Sequence, residues 1–206
     1  MNLAIDTFPQ ERFGLVTGSR CSSLVPQRSA EVGQKTLAKT LAKERVFEFH
    51  DERGTWQTEH GKMSEFFAFE HYEKHYDNQI VKGRWIANGD IGGSTDAETE
   101  TYGVDFKCPT SLQGWLDYLE GIDDDQYNQA QLYMILTGKP KWVIAAYLIE
   151  TQFMTDNGLV YPIEERKRMI LNEVVKSDEW AEKFYSNLPK VVELRDMYVQ
   201  LYQKLK

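Results

Sequence analysis

The run Trp142-Val143-Ile144-Ala145-Ala146-Tyr147-Leu148-Ile149 constrains the fold more than any other stretch of this chain. It is short, almost wholly apolar and rich in strand formers, with none of the polar alternation of a half-wet strand. Such a run suits a central strand covered on both faces. Its eight residues fall far short of a membrane span, which needs ~20. The segments around it carry helical periodicity. Val32, Leu37, Leu41, Val46 and Phe47 recur at helical intervals between Ala30 and about His50, and Phe66, Phe69, Tyr72 and Tyr76 mark a second helix from Gly61 to about Tyr76. A short helix is predicted over Leu112–Leu119, and another over Asp125–Leu136, closed by Gly138 and Pro140. Extended pieces joined by glycine turns run from Ile80 to Asp96, and a further strand covers Gly103–Cys108, stopped by Pro109. The tail reads as two helices, Glu164–Tyr185 and Lys190–Leu205, parted around Asn187-Leu188-Pro189. Helices, strands and helices in that order predict an α/β fold, a central sheet flanked by helices.

A chain of 206 residues is expected to form one domain over 1–206, its helices from about residue 164 packing on the core or mediating assembly. Cys21 and Cys108 are the only cysteines, so neither a disulfide framework nor a four-cysteine metal site can form within one chain. The opening Met1-Asn2-Leu3-Ala4-Ile5-Asp6 has no basic segment leading into an apolar one, and the expectation is a soluble, cytoplasmic protein with no membrane partner. Twenty-four Lys and Arg against 32 Asp and Glu leave a net charge of -8. That balance argues against a protein that coats nucleic acid with a broad basic face. It is compatible with a local basic groove around an acidic, metal-filled centre.

The sharpest chemical pattern is Ser94-Thr95-Asp96 followed by Asp105-Phe106-Lys107. In a strand, Asp105 and Lys107 project to the same face. The turn around Gly92-Gly93 can bring Asp96 beside them. Two hard oxygen ligands and an ammonium group suit metal-assisted hydrolysis of a phosphodiester. The bare spacing is equally that of turn and edge-strand acids beside a snorkelling lysine. Further pieces accompany it in order: Gly61-x3-Glu65 upstream, then Tyr127-Asn128-Gln129-Ala130-Gln131, then the apolar run after Lys141.

With these residues assembled, the chain resembles the phage lambda exonuclease and YqaJ-like viral recombinase family of the PD-(D/E)XK nuclease superfamily, from about Arg12 to Ile149. The resemblance implies a restriction-endonuclease-like core. It matches Asp96 to the first acid, Asp105 and Lys107 to the second acid and lysine, Glu65 to a helical glutamate, and Gln129 and Gln131 to a paired-glutamine motif. The segment Arg12-x4-Thr17-Gly18-Ser19 resembles the family's arginine and small-hydroxyl segment near the DNA end. Three positions depart from the pattern: Thr95 stands where proline is usual, Ala97 where glycine is usual, and Asp105 where lambda exonuclease has glutamate.

What the resemblance implies is a Mg2+-dependent exonuclease, with Mn2+ as a substitute, that digests duplex DNA from its ends in the 5'-to-3' direction during recombination or DNA processing. Asp96, Asp105, Glu65 and the Phe106 carbonyl would surround the metal, Lys107 would help activate water, and Gln129 would position Lys107 or the water. Arg12, Ser19, Ser94 and Gln131 would meet DNA, although Gln131 reads as well as a packing residue. Lys35, Lys39 and Lys43 form one helical stripe, read either as a solvated face or as contacts to successive phosphates. A homotrimer and a single-strand-annealing partner follow from the same resemblance. Two other readings remain: a structure-dependent or single-strand endonuclease on the same core, and a noncatalytic DNA-recombination scaffold.

Other patterns carry less. His71-Tyr72-Glu73-Lys74-His75 has the two-histidine spacing of zinc peptidases, but Tyr72 occupies the place of their glutamate, and the histidines read as ordinary helix residues. Asp123-Asp124-Asp125 reads as a polar loop and helix start. Asp90 reads as a turn-stabilising acid. Tyr133 is expected to pack.

Overall fold

A computed structural model describes residues 10–25, 31–48, 56–149 and 162–206. Five helices, α1 (Glu31–Phe47), α2 (Trp56–His75), α3 (Leu112–Leu116), α4 (Asp124–Thr137) and α5 (Asp178–Gln203), surround two sheets. The strands are β1 (Val16–Thr17), β2 (Val81–Lys82), β3 (Trp85–Asn88), β4 (Ile91–Ser94), β5 (Ala97–Glu98), β6 (Tyr102–Lys107), β7 (Lys141–Tyr147) and β8 (Met169–Val175). The larger sheet has the order β2-β5-β6-β7-β8, and the smaller one β1-β4-β3. Both are mixed: β6 runs parallel to β7, and β1 to β4, while the other pairs are antiparallel. The expected α/β architecture, a central mixed sheet flanked by helices, is what the chain adopts, consistent with a restriction-endonuclease-like core.

The apolar run forms β7, an interior strand with β6 on one side and β8 on the other. Trp142, Val143, Ile144, Ala145 and Ala146 are all buried. A strand sandwiched in this way has no face for solvent, which is why its sequence does not alternate. Helix α4 begins at a capping box in which Asp123 and Gln126 each satisfy the other's backbone N–H. The acidic triplet is thus a cap and a first turn, as its composition suggested. The helix ends at Gly138, whose φ of 73° lies in the left-handed region.

The tail departs from the sequence expectation. Instead of a helix from Glu164 to Tyr185, residues Glu165–Lys167 make a single 3-10 turn and Met169–Val175 form β8, paired along its length with β7. Met169 and Val174 turn inward while much of the rest stays wet. Charged helix formers before the strand concealed it, and pairing with β7 overrides that local preference. The expected break around Pro189 is also absent, since α5 runs unbroken through it. Proline removes one helical hydrogen bond, but Phe184 and Val191, on either side, are fully buried in a cluster with Leu37 and Leu41 of α1. Two residues before the proline, Asn187 donates from its amide to the carbonyls of Leu24 and Lys183, tying this part of α5 to the N-terminal segment. No helix among the described residues is long and apolar enough to cross a membrane.

Candidate active site

Strand β6 carries the centre of the site. Asp105 and Lys107 are held in register against Ile144 and Ala146 of β7, and their side chains emerge on one face. Lys107 Nζ lies 2.6 Å from Asp105 Oδ2. The intervening Phe106 points the other way, into a cluster with Phe69 and Tyr72 of α2. Asp96, between β4 and β5, accepts a hydrogen bond at its Oδ2 from the Phe106 N–H, 2.7 Å away. One backbone amide therefore ties the first acid to the strand bearing the second acid and the lysine.

From α4, Gln129 Oε1 accepts a hydrogen bond from Lys107 Nζ at 3.0 Å. Its Nε2 donates to the Tyr133 hydroxyl at 2.9 Å. Tyr133 lies one helical turn from Gln129 and orients the amide, a role that its reading as packing alone did not include. Its ring reaches this position because residue 93 is glycine: a Cβ there would stand 2.5 Å from the ring. Sequence spacing of four from Gln129 was the available signal.

The acids of this site perturb one another. Burial first, then the charges of Asp105 and Glu65, push the Asp96 carboxyl well above its ordinary range. Glu65, from α2, is raised by burial and by Asp105, against the pull of Lys107 and Lys82. Burial alone would lower the Lys107 ammonium, but the charge and hydrogen bond of Asp105, with Asp96 beyond, raise it instead. Lys107 therefore stays protonated. Cys108 is pushed up to about 12 by burial and by Asp96 and Glu65, and stands as a thiol. Asp105 is 2% exposed, and its Oδ2 meets the Lys107 ammonium at 2.6 Å. Several converging acids with one lysine leave acceptor capacity that a divalent cation fits.

A pH dependence follows. The raised Asp96 value means that the folded state holds this proton more tightly than the unfolded chain does. Between the ordinary carboxylate value and the raised one, stability from this group falls as pH rises. In EDTA, the difference in Tm between Asp96→Asn and the parent should widen in favour of the variant from about pH 5 to about pH 8. A difference that stays flat across that range would mean that Asp96 is not held against its neighbours' charge.

The remaining predicted residues divide. The Arg12 guanidinium stacks on the Trp85 ring at 4.7 Å, and Trp85 is the register partner of Ser94, two residues before Asp96. Gly18 lies against Gln129 and Tyr133, which brings the exposed Ser19 to the edge of the site. Ser19 and Lys43 line one cavity of about 520 Å3 together with Arg20, Thr36, Thr40 and Glu44. Lys35 and Lys39 are exposed outside it, Lys39 above the Tyr198 ring. Gln131 is not brought to the site. It is 1% exposed, donates to the Val175 carbonyl and accepts from the Ser177 N–H, so its amide closes the junction of β8 and α5. Both ends of its amide are used within the protein, which removes it from contact with DNA. Thr95, where proline is usual, accepts from the Arg84 N–H and donates to Glu98, a clamp on the turn that proline could not make. Asp90 pairs with Arg195 of α5 rather than with the site.

A second cluster lies at the other end of α2. His71 and His75, one turn apart, meet Glu165 from the turn before β8, and their ligand atoms all lie within 4.8 Å of one another. This cluster can coordinate a divalent metal. Among the described residues no other group of three histidines, cysteines or acids is drawn as close, and the Glu65, Asp96 and Asp105 set is more open.

No protein-family model matches the chain, and no curated protein sequence does. Solved structures do. The alkaline exonuclease LHK-Exo from Laribacter hongkongensis matches with a TM-score of 0.74 at 16% identity, over 95% of each chain. Its complex with dAMP matches with a TM-score of 0.72. A phage-related exonuclease from Haemophilus somnus 129PT matches with a TM-score of 0.73 at 18% identity, over 93% of this chain and 96% of that one. The chain has the fold of phage-type exonucleases.

Proposed function

We propose that the protein is a metal-dependent deoxyribonuclease that digests duplex DNA from its ends, in the 5'-to-3' direction. The observation that carries this reading is Lys107, held between Asp105 and Gln129 beside the anchored Asp96. The likeness of the fold to LHK-Exo, a protein solved with dAMP, supports it, since a nucleoside monophosphate is what stepwise cleavage of DNA releases.

Asp96, Asp105 and Glu65, with the Phe106 carbonyl, would hold Mg2+, or Mn2+ in its place. An all-oxygen donor set suits Mg2+, which keeps several waters and needs few carboxylates. The chemistry supplied on binding is polarisation of a phosphate oxygen and a lower pKa for water. Lys107, cationic and fixed by Gln129, orients the attacking water and meets the charge that develops on phosphate. Arg12, Ser19 and Ser94 bind phosphate near the scissile end. Lys43, and more loosely Lys35 and Lys39, meet the duplex backbone. Assembly as a homotrimer and work beside a single-strand-annealing protein belong to the same proposal.

Duplexes labelled separately at their 5' and 3' ends, incubated with Mg2+ or with EDTA, test the reaction. Loss of the 5' label first, only with Mg2+, is the expected result. Internal cutting would replace the reading with an endonuclease, and binding without cleavage would replace it with a scaffold. Replacing Lys35, Lys39 and Lys43 by glutamine should weaken DNA binding and reduce the slope of log K against log salt by about 2–3. An unchanged slope would assign the stripe to solvent.

A further inference from the structure

We propose that His71, His75 and Glu165 form a zinc-class metal site, distinct from the carboxylate centre, that fastens the end of α2 to the turn entering β8. The residues come from two places far apart in the chain. Four-residue spacing sets both imidazoles on one face of α2, with ring centroids 4.6 Å apart. The 3-10 turn Glu165–Lys167 brings Glu165 Oε1 to 3.3 Å from His75 Nε2.

His71 supplies the strongest sign of a missing partner. It is 5% exposed, and its Nε2 is buried with no hydrogen-bond partner. Buried polar atoms are rarely left so. Tyr147, at the end of β7, packs against the same imidazole at 4.7 Å between centroids, its ring tilted by 38°, and limits its movement. The ring is thus confined while the other two ligands sit nearer solvent.

The donor set selects the metal. Two imidazoles and one carboxylate suit Zn2+ and neighbouring transition ions, whereas Mg2+ prefers oxygen alone. Three protein ligands leave a further position for water. Ligand bonds of about 2.1 Å around a tetrahedral ion set the donors about 3.4 Å apart; His75 Nε2 and Glu165 Oε1, at 3.3 Å, already match, and ligand atoms separated by up to 4.8 Å must draw together by about 1 Å or more. The exposed Glu165 can supply part of that movement. Its present partner is Lys74 at 2.8 Å, an ion pair exposed on both sides. Such pairs are weak, and a dipositive ion displaces the ammonium readily. Bound metal would link helix α2, which carries Glu65, to the turn that positions β8.

The test is Zn2+ titration of the EDTA-treated full chain in excess Mg2+, followed by calorimetry and thermal melting. One equivalent of Zn2+ should bind, raising Tm by about 5–10 °C at saturating metal. His75→Ala and Glu165→Ala, both at accessible positions, should each weaken binding by about 100-fold and lose most of the shift. Asp96→Asn should keep it. Co2+ in place of Zn2+ should give a visible absorption band that the same two variants abolish, a readout independent of stability. Equal Zn2+ binding in the parent and in both variants, loss of binding in Asp96→Asn alone, or no binding at all would overturn the proposal. Zinc binding that persists in a protein without Mg2+-dependent cleavage would reject the nuclease reading and leave this site standing.

Discussion

Replacing Lys107 by methionine is expected to lower Mg2+-dependent cleavage of duplex DNA by about 10²–10⁴-fold, the range seen when a positioned acid–base or charge-stabilising group is lost. The reason is its double anchorage. Nζ is 2.6 Å from Asp105 and 3.0 Å from Gln129, so the ammonium cannot be replaced by water in the same place. Methionine retains much of the aliphatic stem and removes the charge together with its contacts to Asp105 and Gln129. In EDTA the variant should also melt earlier than the parent, because Asp105 loses its counter-ion in a buried setting. Mg2+ should restore part of that loss by supplying positive charge to the same carboxylate. Gln129→Ala should reduce cleavage less, by about 10–100-fold, the scale for residues that orient a reacting group rather than act themselves. Cleavage assays on purified variants, with circular dichroism as the control for folding, decide the matter. A Lys107→Met protein cleaving near the parental rate would remove the lysine from the chemistry.

The largest stability effect is expected at Arg195. Replacement by leucine should destabilise the fold by about 3 kcal/mol and lower Tm by about 6–12 °C. Arg195 is 2% exposed, in the middle of α5. It donates to Asp90 Oδ1 at 2.7 Å and to the Gly14 carbonyl at 3.0 Å, linking the C-terminal helix to the β3–β4 turn and to the start of β1. Leucine fills part of the volume but leaves both acceptors without a donor. Asp196, which also accepts from Arg195 at 2.8 Å, is about half exposed. Its replacement by asparagine should therefore change stability by less than about 1 kcal/mol. Equal effects at Arg195 and Asp196 in urea or thermal melts would show that the buried contacts are not what counts.

Local patterns carried much of the fold. The apolar run of β7, the period-two pairing of Asp105 with Lys107, the cap at Asp123 and the stop at Gly138 all depend on neighbours within a few residues, and each stands where its pattern placed it. Gln129 likewise meets Lys107, although 22 residues separate them. The glutamine nearby, open to DNA contact or to packing in the sequence, takes the packing role. Gln131 sits two positions on, and that offset turns it from Lys107 toward the β8–α5 junction.

What the sequence determined by itself was the set of elements with strong periodicity and the shared face of Asp105 and Lys107, because backbone geometry alone decides which side chains share a face. Only the tertiary structure decided the rest. Edge strand β8 exists because β7 offers it a ladder, not because Met169–Val175 prefers extension over helix. Helix α5 passes Pro189 because burial against α1 outweighs one lost hydrogen bond. Most sharply, the acid that meets His71 and His75 is none of the glutamates of their own helix, not even Glu73 between them, but Glu165, which the fold brings to them across 90 residues of chain. No spacing rule can show such a ligand, since its proximity comes from the packing of β8 beside β7 and of α2 against the sheet rather than from any local repeat.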